Sequence, residues 1–260
     1  MSDPIIRTVD EHVATITFDR PEVRNAFTPD MFQMLEGLVR ETARDRDVRC
    51  IVLQGAGESF SAGLDLVAAA SRMDEIERIA REFDPHREPI VALQQIDVPV
   101  IAAINGHAAG YGVGLAINAD IRVMARNARL VPPTKRGVVP ESGDTYLLPR
   151  LVGWERAARF YFLGEDLPAD EALAQGIVSE LAEGADATRA RAAELAARIA
   201  AMPPLAVRAA KRMLQAGRTD EYATHVDRVL RELMPLFRTK DFAEAMAAFF
   251  EKRPPSFTGE

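Results

Sequence analysis

The sequence predicts an α/β fold, in which a core of strands and helices is followed by an all-helical C-terminal region. In the first part of the chain, apolar runs typical of buried strands alternate with segments of helical periodicity. From about residue 168 helical patterns dominate, and residues 201–260 contain no run typical of a strand. The order strand, strand, helix indicates a spiral of ββα units, although no sequence repeat establishes it.

The elements of the core follow from local residue patterns. Residues 12–18 alternate and are rich in β-branched side chains, which predicts a strand. Thr28, Pro29 and Asp30 mark a helix start, with the Thr28 hydroxyl as its cap, and predict a helix over residues 29–44. The other core predictions are buried strands over 48–55 and 99–104, helices over 74–83 and up to Ile96, and a helix-to-strand segment over 115–123.

The second half of the chain is predicted to be mainly helical. Residues 168–176 form a short helix closed by Gly176, a residue typical of helix C-termini. Trp154 is expected to lie in the core. Four longer helices are predicted near residues 186–201, 204–216, 219–233 and 239–252.

Composition excludes several function classes. The 260 residues carry a net charge of −7, which argues against nucleic acid as the main partner. No apolar run approaches the ~20 residues that span a bilayer, so no membrane partner is expected. The single cysteine, Cys50, and a charged N-terminus favour a reducing, cytoplasmic location. The four histidines lack metal-ligand spacing, which predicts no metal site.

Two glycine-containing turns follow apolar strands. The spacing of Gly110, Gly112 and Gly114 does not match the dinucleotide fingerprint. Such a turn still allows backbone N–H groups to approach a ligand, or alternatively serves only tight strand–helix packing. In the other turn, Ser59 and Ser61 lack the G-x-S-x-G context of a serine hydrolase.

Five segments occur in a fixed order: RPEVRNAF, GESFSAGLDL, PVIAAINGHAAGYGVGLAINADIRV, KRGVVPESGDTYLLPRLVG and EALAQGIVSEL. With this order and spacing the chain resembles the crotonase (enoyl-CoA hydratase/isomerase) superfamily from about residue 6 to its C-terminus. The resemblance implies a crotonase-like ββα spiral over residues 1–198 and a helical trimerisation and CoA-capping region over 199–260. It also implies homotrimers, paired into hexamers, and an acyl-CoA thioester substrate. No cofactor is implied beyond the coenzyme A of that substrate.

The resemblance further implies an oxyanion hole made of two backbone N–H groups, those of Leu64 and Tyr111. Tyr111 stands where the family has the middle residue of a Gly-Gly-Gly run, so a side chain is added beside the thioester. Backbone donors of this kind act where negative charge develops on the thioester oxygen. The helix that begins near Gly112 adds its dipole.

The departures from the family concern its acids. Hydratases of the family carry two glutamates, and the matching positions here hold Gly114 and Pro133. Glu141 stands where the resemblance places the acid of double-bond isomerases. One carboxylate can move a proton from C2 to C4 while the oxyanion hole holds the dienolate. Alternatively, Glu141 is a first-turn helix acid; Asp144 could bond to Glu141 or share its proton, or be a solvated acid.

Further substrate-binding positions are carried over from the resemblance. Arg24, Phe249 and Lys252 would approach the nucleotide end of coenzyme A, the last two from a neighbouring subunit. Lys135 and Arg136 are expected at the surface, and His107 either lines the acyl pocket or is structural. Asp65 lies near the acyl-CoA or caps its own turn. The remaining positions assigned to binding are Ala26, Ala62, Leu66, Gly110 and Pro133.

The sequence therefore predicts an acyl-CoA enzyme, a Δ3-Δ2 enoyl-CoA isomerase with Glu141 and Asp144 as candidate catalytic acids. The alternatives are an enoyl-CoA hydratase, another crotonase-type lyase or hydrolase, or an acyl-CoA-binding trimer without catalysis. Fatty acid metabolism is the expected setting. Loops such as residues 67–89 are expected to form the pocket walls.

Overall fold

The computed structural model describes residues 3–72, 81–82 and 84–260. The helix predicted over residues 74–83 lies, apart from residues 81 and 82, outside the described residues. Within the described part, every helix is too short or too polar to cross a bilayer.

The larger sheet has six strands: β1 (Ile5–Asp10), β2 (Val13–Phe18), β3 (Cys50–Gly55), β5 (Val100–Ile104), β7 (Ile121–Ala125) and β10 (Glu180–Ala182). They are ordered β1-β2-β3-β5-β7-β10, with β1 and β2 antiparallel and every other pair parallel. All of β5 is buried, as its continuous apolar run predicts for a central parallel strand.

The smaller sheet has four short strands: β4 (Ser59–Ser61), β6 (His107–Ala109), β8 (Arg129–Val131) and β9 (Leu167–Pro168), in the order β4-β6-β8-β9. The pairs β3–β4, β5–β6 and β7–β8 are consecutive in the chain and place one strand in each sheet. Each of these consecutive pairs therefore contributes one strand to the larger sheet and one to the smaller sheet. This repeated arrangement confirms the predicted ββα spiral.

The described helices are α1 (Pro29–Arg44), α2 (Leu66–Ala70), α3 (Pro89–Gln95), α4 (Tyr111–Asn118), α5 (Asp144–Val152), α6 (Trp154–Leu163), α7 (Ala169–Ala174), α8 (Gly184–Ala200), α9 (Pro204–Ala216), α10 (Tyr222–Leu236) and α11 (Lys240–Glu251). On the large sheet, Ala192 and Ala196 of α8 pack against β3 and β5. The predicted boundary after residue 198 falls inside α8, which ends at Ala200.

Two local predictions are wrong. Trp154 is 74% exposed because it is the first residue of α6, at the surface, rather than on the buried side of that helix. The Thr28 side chain makes no capping hydrogen bond, although α1 begins at Pro29 as predicted. The Met31 N–H donates to the Thr28 backbone oxygen instead (3.0 Å), and the fixed backbone angle of Pro29 starts the helix without the hydroxyl.

Candidate active site

One cavity of about 600 Å³ contains three of the residues predicted for the site, Leu64, Tyr111 and Glu141. Its described walls come from α1, the two glycine turns, α3 with the segment that leads into it, and the loop before α5. Among the described residues, those that line it are Pro29, Phe32, Gln33, Leu64, Glu82, Asp84, Pro85, Arg87, Glu88, Ile90, Val91, Tyr111 and Glu141. The end of the 67–89 loop therefore forms part of the pocket wall, as predicted.

The first glycine turn in the chain, which contains Gly63, exposes the Leu64 N–H group. Phe27 and Leu64 form an isolated parallel bridge. In this bridge the Phe27 N–H donates to the Gly63 oxygen (2.7 Å), and the Asp65 N–H donates to the Phe27 oxygen (2.9 Å). Because these bonds use the groups on either side of Leu64, its own N–H faces away from Phe27. Within residues 3–72, 81–82 and 84–260 it donates to no protein acceptor.

The second turn presents the Tyr111 N–H group at the start of α4. Gly110 has φ +50° and ψ −118°, a conformation that glycine adopts far more readily than other residues. The Gly110 N–H donates to the Val131 oxygen of β8 (3.1 Å), which fixes the turn to the small sheet. The first N–H groups of a helix have no partner inside it, and that of Tyr111 has none elsewhere in the described chain.

The two turns touch each other. A Cβ atom added to Gly63 would lie 3.1 Å from the Tyr111 nitrogen and 2.6 Å from the Ala109 oxygen. The unpaired N–H groups of Leu64 and Tyr111 therefore belong to adjacent segments that line one cavity. Such a pair can bind an oxygen that gains negative charge.

Glu141 lies in the loop before α5, and α4 holds this loop in place. The Asn118 side-chain nitrogen donates to the oxygens of Gly114 (2.8 Å) and Ser142 (3.0 Å). Because Ser142 is tied to the helix that begins at Tyr111, its neighbour Glu141 stays at the cavity wall.

The environment of Glu141 favours a proton-transfer role. Its side chain remains accessible from the cavity. Burial by the surrounding protein raises the pKa of Glu141, and the charge of Asp144 raises it further. A carboxylate with a raised pKa is a stronger base and matches a proton-transfer task near neutral pH.

Asp144 lies next to this site but does not face the cavity. It is 1% exposed, and the Tyr161 hydroxyl donates to its Oδ2 (2.7 Å). Asp144 therefore makes no hydrogen bond to Glu141 and is not a solvated acid, the two alternatives that the sequence left open, because it is turned toward α6 and bonds to Tyr161 there. Burial raises the pKa of Asp144 despite this bond. Its catalytic role stays a prediction, and the geometry fits a residue that acts through Glu141.

No carboxylate occupies the positions of the family's two glutamates. A Cβ atom added to Gly114 would lie 2.0 Å from the Ser142 Cβ, so Ser142 fills the space that a side chain would need. Pro133 is buried and packs near Gly110, where an added Cβ would be 3.9 Å from the Pro133 Cβ. Ser142 therefore packs on Gly114, and the substrate-binding role of Pro133 stays a prediction.

Asp65 orders the first turn. Its carboxylate accepts the Ala68 N–H (3.0 Å) as the cap of α2 and pairs with Arg20 (3.1 Å). The bond from Ala68 lowers the pKa of Asp65, and Arg20 lowers it further. Arg20 also donates to the oxygen of Ala26, which is buried beside the turn. Asp65 thus caps its own turn, the alternative that the sequence left open.

The predicted CoA-binding residues lie outside the cavity lining. Arg24 is exposed, and its backbone oxygen accepts the Ala62 N–H (2.9 Å), which places it beside the first turn. Leu66 is 60% exposed at the start of α2. Phe249, 75% exposed, and Lys252 lie at the end of α11. Their roles stay predictions.

The remaining charged and histidine side chains considered from the sequence lie outside the cavity. Lys135 and Arg136 are exposed, as predicted, and Lys135 pairs with Asp166. His107 is structural, because its Nδ1 accepts the Arg129 N–H (3.1 Å) and it does not line the cavity.

Two functional candidates were not identified from the sequence, the Glu88 side chain and the Tyr111 hydroxyl. Glu88 precedes Pro89, the first residue of α3, so it resembles an ordinary helix-start acid. Its side chain nevertheless makes no capping bond and lines the cavity. The Tyr111 ring packs against Phe27 and Phe32, with ring centroids 5.5 and 4.5 Å apart.

Comparisons with known proteins agree with this architecture. The family model described as enoyl-CoA hydratase/isomerase matches residues 8–260. The chain is 34% identical to the 1,2-epoxyphenylacetyl-CoA isomerase of Escherichia coli, over 100% of both chains. It is 35% identical to the short-chain-enoyl-CoA hydratase of Clostridium acetobutylicum, over 93% of this chain and 92% of that one. The crystal structure of an enoyl-CoA hydratase from Bacillus anthracis superposes with a TM-score of 0.92 at 31% identity, covering 99% and 100% of the two chains. Relatives thus include both isomerases and hydratases.

Proposed function

Because the chain belongs to the enoyl-CoA hydratase/isomerase family of acyl-CoA enzymes, we propose that it moves the double bond of a 3-enoyl-CoA thioester to C2. One observation carries the proposal. A single cavity brings Glu141 together with the unpaired N–H groups of Leu64 and Tyr111, while the family's glutamate positions hold Gly114 and Pro133.

The reaction uses these groups in two steps. Glu141 takes a proton from C2, and the electron pair spreads over the dienolate, with negative charge on the thioester oxygen. The N–H groups of Leu64 and Tyr111 bind that oxygen, and such a donor contributes about 10²–10³ in rate. A proton added at C4 then restores the thioester carbonyl and leaves the double bond between C2 and C3.

Binding of coenzyme A is supported by cations near the site. Arg24 has an exposed side chain beside the first glycine turn and has no ion-pair partner in the described residues. We assign it to a phosphate of coenzyme A. Phe249 and Lys252 are exposed at the end of α11, which suits contact with coenzyme A bound to a neighbouring subunit.

Proton NMR in deuterated water tests the proposed activity. The purified protein is expected to convert a trans-3-enoyl-CoA into the 2-enoyl isomer, with deuterium incorporated at C4. Formation of a 3-hydroxyacyl-CoA from a 2-enoyl-CoA, without isomerisation of the 3-enoyl substrate, would contradict the proposal and identify a hydratase. Bound acyl-CoA without any turnover would instead identify a binding protein.

A trimer is the proposed assembly, because α10 has no buried residue and exposes several apolar side chains. These include Val226, Leu230, Leu233 and Met234, which are 40–54% exposed in the single chain. Light scattering at micromolar concentration should give three times the mass of one chain, or six times for paired trimers. Leu230→Asp should lower that mass, whereas Thr224→Asp, at an exposed polar position of the same helix, should not. A wild-type monomer would rule out the assembly.

A further inference from the structure

The cavity contains a second carboxylate that the proposed reaction has not yet used. Glu88 lies at the N-terminus of α3, with its side chain half-buried in the cavity wall. Within the described residues this carboxylate has no hydrogen-bond or ion-pair partner. A half-buried, unpaired carboxylate is costly, and burial raises the pKa of Glu88. Such a group fits a residue that holds a proton for transfer.

Tyr111, which lines the same cavity as the two acids, carries a buried hydroxyl. The Tyr111 hydroxyl is buried and has no hydrogen-bond partner among the described residues. Burial raises the pKa of Tyr111, and the charges of both Glu88 and Glu141 raise it further. Unpaired buried polar atoms are rare in folded proteins and call for a functional explanation.

Among the described residues, the other charged groups that line the cavity are Glu82, Asp84 and Arg87, and all three are exposed. They lie on the segment that leads into α3. Neither the Glu88 nor the Glu141 carboxylate pairs with Arg87 in the described structure. Among the described residues of the cavity, Glu88 and Glu141 are therefore the two half-enclosed acids available for proton transfer.

We propose that Glu88 is the second proton-transfer residue of the site, and that it delivers the C4 proton while Glu141 removes the C2 proton. This inference rests on the proposed isomerase function. It supplies, from the N-terminus of α3, the second carboxylate that the Gly114 and Pro133 positions lack.

The proton balance closes over one turnover. Ionised Glu141 takes the C2 proton as the C2–H bond breaks and the dienolate forms. Protonated Glu88 then gives its proton to C4, the carbonyl forms again, and the new double bond lies between C2 and C3. The Tyr111 hydroxyl resets the pair by accepting a proton from Glu141 and donating its own to Glu88.

The test separates removal of the C2 proton from completion of the isomerisation. In deuterated water, Glu88→Gln should still exchange the C2 hydrogens of a trans-3-enoyl-CoA, because Glu141 and the oxyanion hole are intact. Its isomerisation rate should fall by about 10²–10⁴, the usual contribution of an acid–base group. Tyr111→Phe, which keeps the ring packing, should lower multiple-turnover isomerisation and leave C2 exchange in place.

Glu41→Gln is the matched control, because Glu41 is an exposed glutamate of α1 that does not line the cavity. Equal isomerisation rates for Glu88→Gln and Glu41→Gln would overturn the inference, as would loss of C2 exchange together with isomerisation in Glu88→Gln that still binds the substrate. A wild-type protein that neither exchanges nor isomerises would overturn the proposed function, and this inference with it.

A second measurement needs no variant. This measurement is a single turnover of wild-type protein in ordinary water, with substrate deuterated at C2. Because separate residues remove the C2 proton and deliver the C4 proton, no deuterium should appear at C4. Transfer of the C2 label to C4 would show that one carboxylate carries the proton and would overturn the role of Glu88.

Discussion

Replacement of Glu141 by Gln should lower kcat for isomerisation by about 10²–10⁴, the range typical of a lost acid–base group. Gln keeps the size of the side chain but cannot accept the C2 proton. The N–H groups of Leu64 and Tyr111 remain, so acyl-CoA affinity should change little. Steady-state kinetics and the C2 exchange rate in deuterated water measure the two effects, and both exchange and isomerisation should be lost together.

The pH dependence gives an independent check on Glu141. Burial raises the pKa of this carboxyl group, and only its ionised form can take the C2 proton. Activity should therefore rise with pH through a pKa above the ordinary range of glutamate, and the residual activity of Glu141→Gln should lack that step.

A suitable contrast for Glu141→Gln is Asp144→Asn, which removes a charge that raises the Glu141 pKa. In the profile of activity against pH, the rise on the acidic side should move to lower pH in Asp144→Asn, whereas in Glu141→Gln it should disappear. Retention of wild-type turnover by Glu141→Gln would show that another group is the base.

Local patterns predicted the long elements well. The helix predicted over residues 29–44 is α1, Pro29–Arg44, because its proline start and apolar face are encoded within one segment. The apolar run 99–104 became β5 for the same reason. The three-residue strands β4, β6 and β8 could not be predicted, because they are too short to show alternation and exist only through pairing between distant units.

The candidate site likewise contains residues that the sequence could predict and others that it could not. Motif order was enough to predict Leu64, Tyr111 and Glu141 as site residues, and all three line one cavity. The surroundings of an acid depend on tertiary packing, so the sequence could not show that Asp144 turns toward Tyr161. Likewise, Glu88 resembles a helix cap in the sequence and is distinguished only by the cavity that it lines.

The adjacency of the two glycine turns also depends on packing, and Gly63→Ala tests it directly. Gly63 has φ +83°, and an added Cβ would lie 2.6 Å from the Ala109 oxygen, a backbone atom that cannot easily move away. The turn would have to shift and carry the Leu64 N–H away from that of Tyr111. Loss of one such donor typically lowers kcat by about 10²–10³, and we expect a loss in this range.

Gly176→Ala provides the matched control for backbone strain. Gly176 has φ +77°, but nothing lies within 4 Å of its added Cβ, and it follows α7 away from the cavity. Both variants force alanine into the left-handed region, at a cost of about 1–2 kcal/mol in the free energy of unfolding. The midpoint temperature of thermal unfolding should therefore fall in both variants, and it should fall further in Gly63→Ala because of the clash. In contrast, kcat should fall only in Gly63→Ala. Equal kcat values for the two variants would mean that the contact between the turns does not set the position of the Leu64 N–H, and that the oxyanion hole tolerates movement of the first turn.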